Sequence, residues 1–154
     1  MNLNRYKSIL ENINRVALTT HENPDGDGLG CAAAMYHFYK DKNKDCKIIL
    51  PTSLPNEYEF LEKGSMFQLY SSETTDTWLK DVDLIIIFDV GDSRRLKDIR
   101  KAIQINNLSS LLVFSFSNRV GLGYIKFTIF SFSMFLCFQN LLSSRLCNTI
   151  YNSS

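Results

Sequence analysis

The chain has 154 residues, which is enough for one ordinary domain, with or without an appendage, and too few for two full domains. Hydrophobic residues make up 45% and charged residues 21% of the sequence, a composition typical of a folded globular protein rather than a disordered one. The formal net charge is +1, so the composition gives no support for a protein that holds nucleic acid mainly through a basic surface.

Cysteine and histidine are scarce in this sequence. The four cysteines form no CxxC pair and are too few for a disulfide framework, which predicts a reduced, cytoplasmic setting. The two histidines, His21 and His37, are too few for a Cys/His zinc module, and His37 falls inside a predicted helix as a packing or surface residue. The first ten residues contain no apolar run long enough for a secretory signal, so none is predicted.

The first half of the chain alternates between helical and strand-like patterns. Residues 4–14 place apolar side chains on one helical face, and residues 16–20 form a short β-prone run ended by a turn-rich segment. Residues 29–40 are rich in helix formers, and their small alanines suit close packing on a sheet. A second strand is predicted over residues 47–50, where a proline stops it.

The alternation continues as far as residue 105. Residues 56–63 predict a short helix, and residues 67–70 predict a weaker strand. The run LIIIF at residues 84–88 is continuously apolar, which is typical of a strand buried on both faces of a parallel sheet. Residues 95–105 return to helical spacing. Strands separated by helices form right-handed βαβ units, so the pattern predicts an α/β fold with a mainly parallel sheet and flanking helices.

Polar residues follow two of the predicted strands. His21 and the segment that ends at Asp27 follow the first strand, and Asp89 directly follows LIIIF. In parallel α/β sheets, ligands bind beyond the carboxyl ends of the strands. Imidazole and carboxylate ligands without cysteine suit manganese or a related divalent ion better than structural zinc. We therefore predict a metal site formed by His21, Asp25, Asp27 and Asp89.

The loop after the first strand has further features that suit such a site. Gly26 and Gly28 permit the positive φ angles of a tight loop, and Pro24 stiffens the approach to it. The start of the following helix would offer backbone N–H groups to a phosphate. Two closely spaced ions can share a bridging carboxylate, activate a water and neutralise the oxygens of a phosphoester.

Each of these residues also has a purely structural interpretation. Asp27 would N-cap the helix, the pair Asp25-Gly26 would form an ordinary turn, and Asp89 would end its strand as a solvated loop residue. A lone histidine such as His21 is usually structural. An EF-hand is excluded, because no twelve-residue loop begun in this segment places a glutamate at its last position.

The combination of residues is more specific than its parts. The segment HENPDGDGLG at residues 21–30, followed by a helix, resembles the first motif of the DHH phosphoesterase family. It is most similar to the bacterial oligoribonuclease and 3′-phosphoadenosine 5′-phosphate phosphatase members. The segment LIIIFDVGDSRRL at residues 84–96 resembles the second motif, in which a strand ends in a metal-bridging aspartate. Residues 54–63 fit the segment between the motifs, and the resemblance covers roughly residues 4–105.

The resemblance implies a Rossmann-like sheet, two manganese ions (Mn²⁺) and metal-dependent hydrolysis of phosphoesters in short RNA or in a nucleotide bisphosphate. It implies four metal ligands, of which the first two hold one ion, the third holds the other and the fourth bridges both: His21, Asp25, Asp27 and Asp89. Asp92 and Arg94 match the same region and are candidate substrate contacts.

The third motif of the family, Asp-His-His, has no counterpart in this chain. That motif follows the next strand, which residues 111–116 would supply, but the sequence has no aspartate after Asp98 and no histidine after His37. Because ligands of the second ion are missing, we expect the chain to bind one ion or none and to lack full catalysis. The alternative is a metal- or nucleotide-binding remnant without turnover.

The sequence changes character near residue 105. All 16 acidic residues lie at or before Asp98, and seven of the eleven phenylalanines lie between residues 114 and 138, interleaved with serine. We therefore predict that residues 1–105 form the N-terminal part of a DHH phosphoesterase domain and that residues 106–154 form a non-homologous tail. A shift of reading frame at this boundary would explain the change, and translating the coding DNA in its other two frames tests that hypothesis.

A membrane element is the rival interpretation of this tail. Residues 122–142 number 21, and a spanning helix needs about 20 apolar residues. Lys126 lies inside this segment, serine and threonine are frequent, and alternating phenylalanine and serine suit a strand as well as a helix. We therefore predict no membrane contact, and we predict no stable protein partner for the chain.

Overall fold

The computed structural model describes residues 13–104 in full, and it describes residue 105 and the strands at residues 111–114 and 127–130 by their backbone alone. The helix predicted over residues 4–14 therefore lies outside the described residues, except for its last two positions, which are not helical. The candidate spanning segment at residues 122–142 also lies outside them, except for the second backbone strand. Within the described part of the chain, no helix is long and apolar enough to cross a membrane.

In the part of the chain that the structure describes, six parallel strands form one sheet, and their order across it is β3-β2-β1-β4-β5-β6. The strands in chain order are β1 (Arg15–Thr19), β2 (Asp45–Leu50), β3 (Phe67–Leu69), β4 (Leu84–Phe88), β5 (Leu111–Phe114) and β6 (Phe127–Phe130). The chain builds outward from β1 to β3 and then returns to the other side of β1 at β4. The predicted α/β fold with a parallel sheet is confirmed, and β1 and β4 are neighbours at the point where the strand order reverses.

Three α-helices and two 3-10 helices connect the described strands. The α-helices are α1 (Gly26–Asp41), α2 (Ser72–Leu79) and α3 (Ile99–Ile105), and the 3-10 helices are Asn56–Leu61 and Ser93–Leu96. The helix predicted over residues 56–63 is therefore a 3-10 helix. The helix predicted over residues 95–105 is divided, because Lys97 has a φ of 49° and interrupts the helical backbone between Ser93–Leu96 and α3.

Helices pack against both faces of the sheet. Alternate residues of β4 contribute to opposite faces, so that Leu84 and Ile86 pack with α1, whereas Ile85 and Ile87 pack with α2 and α3. All five residues of β4 are buried, as the run LIIIF predicted. Because both faces are covered, the polar side chains that follow β1 and β4 meet at the carboxyl edge of the sheet.

Asp83 joins the start of β1 to the start of β4. Its Oδ2 accepts hydrogen bonds from the backbone N–H of Asn14 at 2.8 Å and from that of Arg15 at 2.9 Å. These hydrogen bonds lower the pKa of Asp83, because they stabilise the ionised carboxylate. The carboxylate therefore stabilises the fold above its ordinary pKa, and this stabilisation is lost as the pH falls through the lower pKa of the folded state.

We expect Asp83→Asn to lower the free energy of unfolding by about 1 kcal/mol at neutral pH. We expect the difference from wild type to shrink below about pH 4, because the unfolded chain takes up the proton at a higher pH than the folded protein does. Urea unfolding followed by the fluorescence of Trp78, the one tryptophan in the sequence, measures both quantities. Asp81→Asn is the control, because that carboxylate is 76% exposed. A difference that stays constant down to pH 3 would contradict this account.

Candidate metal centre

His21 follows β1 by two residues and is only 2% exposed. Its Nδ1 lies 2.7 Å from the carbonyl oxygen of Glu22. Its Nε2 lies 3.6 Å from Oδ2 of Asp25 and 3.6 Å from Oδ2 of Asp89. When the ring proton is on Nδ1, it is donated to the Glu22 carbonyl, and the lone pair of Nε2 is available on the side of the two carboxylates.

Asp25 caps the start of helix α1 and also faces His21. Its Oδ1 accepts a hydrogen bond from the backbone N–H of Gly28 at 3.3 Å, and its Oδ2 is the atom near the imidazole. Asp25 is therefore the N-cap, and the interpretation of Asp27 as the N-cap is wrong. The helix begins at Gly26 rather than at residue 29 because this carboxylate satisfies one of the free N–H groups of its first turn.

Asp89 is the first residue after β4 and has a φ of 53°, in the left-handed region. A non-glycine residue in this region is uncommon and costs conformational energy, which is a feature of functional sites. Its side chain is 30% exposed. Burial and the nearby carboxylate of Asp25 raise the pKa of Asp89, while His21 and Arg95 act in the opposite direction. A cation between the two carboxylates would relieve their repulsion.

The ligand atoms of His21, Asp25 and Asp89 all lie within 4.8 Å of one another. The two distances of 3.6 Å from Nε2 are too long for hydrogen bonds. They are close to the spacing of roughly 3.4 Å expected for two ligands that each lie about 2.1 Å from one ion in tetrahedral geometry. The donor set and its spacing therefore fit a single divalent cation.

Asp27 is not a member of this close group in the described part of the chain. It lies in the first turn of α1 and is exposed. Its charge nevertheless acts on the site, since it contributes to the raised pKa of Asp89. Burial, with the charges of Asp27 and Asp89, also raises the pKa of the Cys31 thiol to about 11. The structure thus brings three of the four predicted ligands together and places the fourth on the adjoining helical turn.

Position 28 requires glycine because helix α1 lies very close to the end of strand β1 there, not because the backbone has an unusual φ. A Cβ atom at Gly28 would lie 2.2 Å from Oγ1 of Thr20, a buried side chain at the end of β1. The expectation that Gly26 and Gly28 adopt positive φ angles is wrong, because both lie inside α1, and among the described glycines only Gly64 has a positive φ. Gly28 lets the helix start against the strand end, which places Asp25 beside His21.

Arg95 contacts the site and was missed by the sequence analysis. Its Nη2 lies 2.8 Å from Nδ1 of His21, and its carbonyl oxygen accepts a hydrogen bond from the backbone N–H of Glu22 at 2.8 Å. The carboxylate of Glu22 also pairs with Lys97 at 2.9 Å. Two arginines are adjacent in the sequence, and only the course of the 3-10 helix at Ser93–Leu96 decides which of them reaches His21.

Arg94 and Asp92, the candidate substrate contacts, bind each other. Nε of Arg94 donates to Oδ2 of Asp92 at 2.8 Å, and the Arg94 side chain is 82% exposed. The Arg94 guanidinium holds the pKa of Asp92 at about 2. Asp92 also caps the 3-10 helix by accepting the backbone N–H of Arg94. The two side chains therefore form a surface ion pair with each other, and Asp92 is not a member of the three-ligand group among the described residues.

Comparisons with known proteins agree with this fold. The family model described as DHH family, N-terminal domain, matches residues 15–111 of the chain. Among solved structures, the chain is similar to an exopolyphosphatase-related protein from Bacteroides fragilis, with a TM-score of 0.69 and 18% sequence identity. The similarity covers 83% of this chain and 37% of that protein, so this chain spans less than half of its length. No curated protein matches the sequence.

Proposed function

Because the chain belongs to the DHH family, we propose that it supplies the metal-binding part of a hydrolase, a phosphoesterase acting on short oligoribonucleotides or on a nucleotide bisphosphate. The observation that carries the proposal is the position of His21 Nε2, 3.6 Å from one carboxylate oxygen of Asp25 and 3.6 Å from one of Asp89. The similar protein from Bacteroides fragilis is described as exopolyphosphatase-related, which supports a substrate that carries phosphate.

The proposed cation is manganese, held by His21, Asp25 and Asp89. One imidazole and two carboxylates are a mixed nitrogen and oxygen donor set without thiolate, which suits Mn²⁺ or a related divalent ion. When bound, such an ion neutralises the charge of phosphoester oxygens and lowers the pKa of a coordinated water. The residues of this chain orient the ligands: the Glu22 carbonyl faces His21 Nδ1, and the N–H of Gly28 holds Asp25.

We propose that this chain alone holds one ion and does not turn over substrate. Asp27, on the adjoining helical turn, would hold the second ion of a complete family site, and Asp89 would be shared between the two ions. The further ligands that the family takes from its Asp-His-His motif have no counterpart, because the sequence has no aspartate after Asp98.

Free Cys31 and Cys46 are compatible with the proposed reducing, cytoplasmic setting.

The test combines binding and turnover measurements on the full chain. We expect MnCl₂ to raise the melting temperature, and we expect no phosphate release from a short oligoribonucleotide or from a nucleotide bisphosphate in the same buffer. Absence of any Mn²⁺-dependent stabilisation would overturn the proposed metal site. Manganese-dependent phosphate release would overturn the proposal that this chain lacks turnover, and the preferred substrate of the two would identify the substrate class.

A further inference from the structure

Two groups compete for one nitrogen atom of His21. Nη2 of Arg95 lies 2.8 Å from Nδ1, and the carbonyl oxygen of Glu22 lies 2.7 Å from the same Nδ1. A guanidinium group only donates hydrogen bonds, and a carbonyl oxygen only accepts them. A neutral imidazole nitrogen is either an acceptor or a donor, so Nδ1 satisfies Arg95 in one tautomer and Glu22 in the other, but never both.

The choice of tautomer decides whether His21 can bind a cation. When Arg95 donates to Nδ1, the ring proton is on Nε2, which then has no free lone pair for a metal. When the proton is on Nδ1, it is donated to the Glu22 carbonyl, and Nε2 can act as a ligand. The ring is neutral in both forms: solvent takes the proton from Nε2 and returns one to Nδ1, with no net gain or loss. Cation binding on Nε2 therefore releases the Arg95 guanidinium from the ring.

The backbone keeps Arg95 at the site after this release. The N–H of Glu22 donates to the Arg95 carbonyl at 2.8 Å, and the Glu22 carboxylate pairs with Lys97 at 2.9 Å. Arg95 is exposed, its positive charge opposes the rise in the pKa of Asp89, and its Nη2 contacts His21. A released guanidinium at the edge of a cation site has planar, paired donors that match the oxygens of a phosphate.

We propose that Arg95 couples the two binding events: it donates to His21 Nδ1 in the metal-free protein and to a phosphate oxygen once a divalent cation occupies Nε2. This inference rests on the proposed function, because it requires the cation. Arg95 then acts as a positioning residue for His21 in one state and as a phosphate contact in the other. The phosphate affinity of the protein depends on the metal, and by thermodynamic linkage phosphate strengthens metal binding by the same factor.

The first experiment reads the tautomer of His21 without any metal, by ¹⁵N NMR of the imidazole nitrogens in the full chain. We expect wild type to hold the proton mainly on Nε2 and Arg95→Ala to hold it mainly on Nδ1. Arg94→Ala is the matched control and should resemble wild type, since Arg94 pairs with Asp92. His37→Gln assigns the signals, because the sequence has only two histidines. An unchanged tautomer in Arg95→Ala would overturn the coupling and leave the proposed metal site standing.

The second experiment measures binding by calorimetry. We expect Arg95→Ala to bind Mn²⁺ roughly fivefold more tightly than wild type, because a competing hydrogen bond and a nearby positive charge are removed. We expect the same variant, loaded with Mn²⁺, to bind inorganic phosphate about tenfold more weakly. Lys101→Ala is the control for general charge, since Lys101 is 77% exposed and pairs with Asp98. Weaker Mn²⁺ binding or unchanged phosphate binding by Arg95→Ala would overturn the inference.

Both measurements are repeated on Arg95→Met, a variant that retains the aliphatic part of the side chain. It should behave like Arg95→Ala, so that a packing defect in the alanine variant is distinguished from loss of the guanidinium. Wild-type protein that binds no Mn²⁺ at all would overturn the proposed function and the inference together. The tautomer measurement would then show whether Arg95 still controls the ring.

Discussion

Replacing Gly28 with alanine is expected to destabilise the protein by about 3 kcal/mol, near the upper end of the cost of overpacking a filled interior. The new Cβ would lie 2.2 Å from Oγ1 and 3.1 Å from Cβ of Thr20. Thr20 is completely buried, so its side chain cannot move aside into solvent. Either the strand end or the first turn of α1 must shift, and both carry residues of the metal centre.

Replacing Gly30 with alanine, two residues further along the helix, should stabilise the protein instead of destabilising it. A Cβ at Gly30 would meet no atom within 4 Å, and Gly30 lies inside α1 with an exposed position. Alanine is favoured over glycine in a helix interior, so Gly30→Ala should stabilise the protein by about 0.5–1 kcal/mol. Urea unfolding of both variants under identical conditions gives the comparison directly.

The double variant Thr20→Ala with Gly28→Ala tests the cause of the effect. Removing Oγ1 removes the closest contact and also a buried hydroxyl that has no hydrogen-bond partner among the described residues. We expect most of the loss caused by Gly28→Ala to be recovered, which corresponds to a coupling energy of about 2 kcal/mol in a double-mutant cycle. Additive effects would show that the alanine acts elsewhere than at Thr20.

The elements that could be predicted from the sequence are those with a continuous or periodic apolar pattern. Strand β4 lies at Leu84–Phe88, where the run LIIIF predicted it, because a strand buried on both faces needs apolar residues at every position. Helix α2 was not predicted, since Thr75 and Leu79 are its only buried residues and, apart from the partly buried Trp78, the others are polar. Its position follows from packing on the sheet rather than from a pattern of its own.

The start of α1 depends partly on a close contact between two residues that are separated along the chain, Gly28 and Thr20. Gly26 and Gly28 are poor helix formers, so local propensity places the start of the helix later than the structure does. The cap by Asp25 and the contact of Gly28 with Thr20 compensate for that low propensity. Such compensation depends on how closely β1 and α1 approach, which no local pattern in the sequence reports.

The residues that meet at the candidate site could be predicted from the sequence, whereas their backbone conformations and hydrogen-bond partners could not. Residues after two strands that are adjacent in a parallel sheet must converge, which is why His21, Asp25 and Asp89 lie together. The left-handed backbone of Asp89 could not be predicted, because glycine is the usual residue at such a position and aspartate adopts it only occasionally. The contact of Arg95 with His21 could not be predicted either, because Arg94 beside it in the sequence is chemically identical. The division of the chain near residue 105 and the frame-shift hypothesis stay predictions.

Asp89→Asn is expected to abolish the effect of Mn²⁺ on stability. An ion that binds only the folded state at a hundredfold excess over its dissociation constant stabilises by about 2.7 kcal/mol, or roughly 8 °C in melting temperature for a domain of this size. Asparagine lacks the negative charge and is a weaker ligand than a carboxylate, but it tolerates the left-handed backbone. The substitution therefore removes a ligand without adding backbone strain at a φ of 53°.

In the absence of metal, the same substitution is expected to stabilise the protein. Asp89 is partly buried beside the carboxylate of Asp25, and its raised pKa shows that the ionised form is disfavoured in the fold. Removing that charge removes the repulsion, so Asp89→Asn should melt above wild type in EDTA and below it in MnCl₂. This reversal of order requires the residue to be both a ligand and a source of electrostatic strain, because a purely structural aspartate would change stability in one direction under both conditions.

Asp92→Asn is the matched control for this experiment. Asp92 lies three residues further along the chain, pairs with Arg94 and is outside the three-ligand group, and asparagine keeps its ability to cap the 3-10 helix. We expect its stabilisation by Mn²⁺ to equal that of wild type. If Asp89→Asn retained the full metal effect, the cation would have to bind without the residue that joins β4 to the centre. The three-ligand geometry would then be a cluster of polar side chains with no metal-binding function.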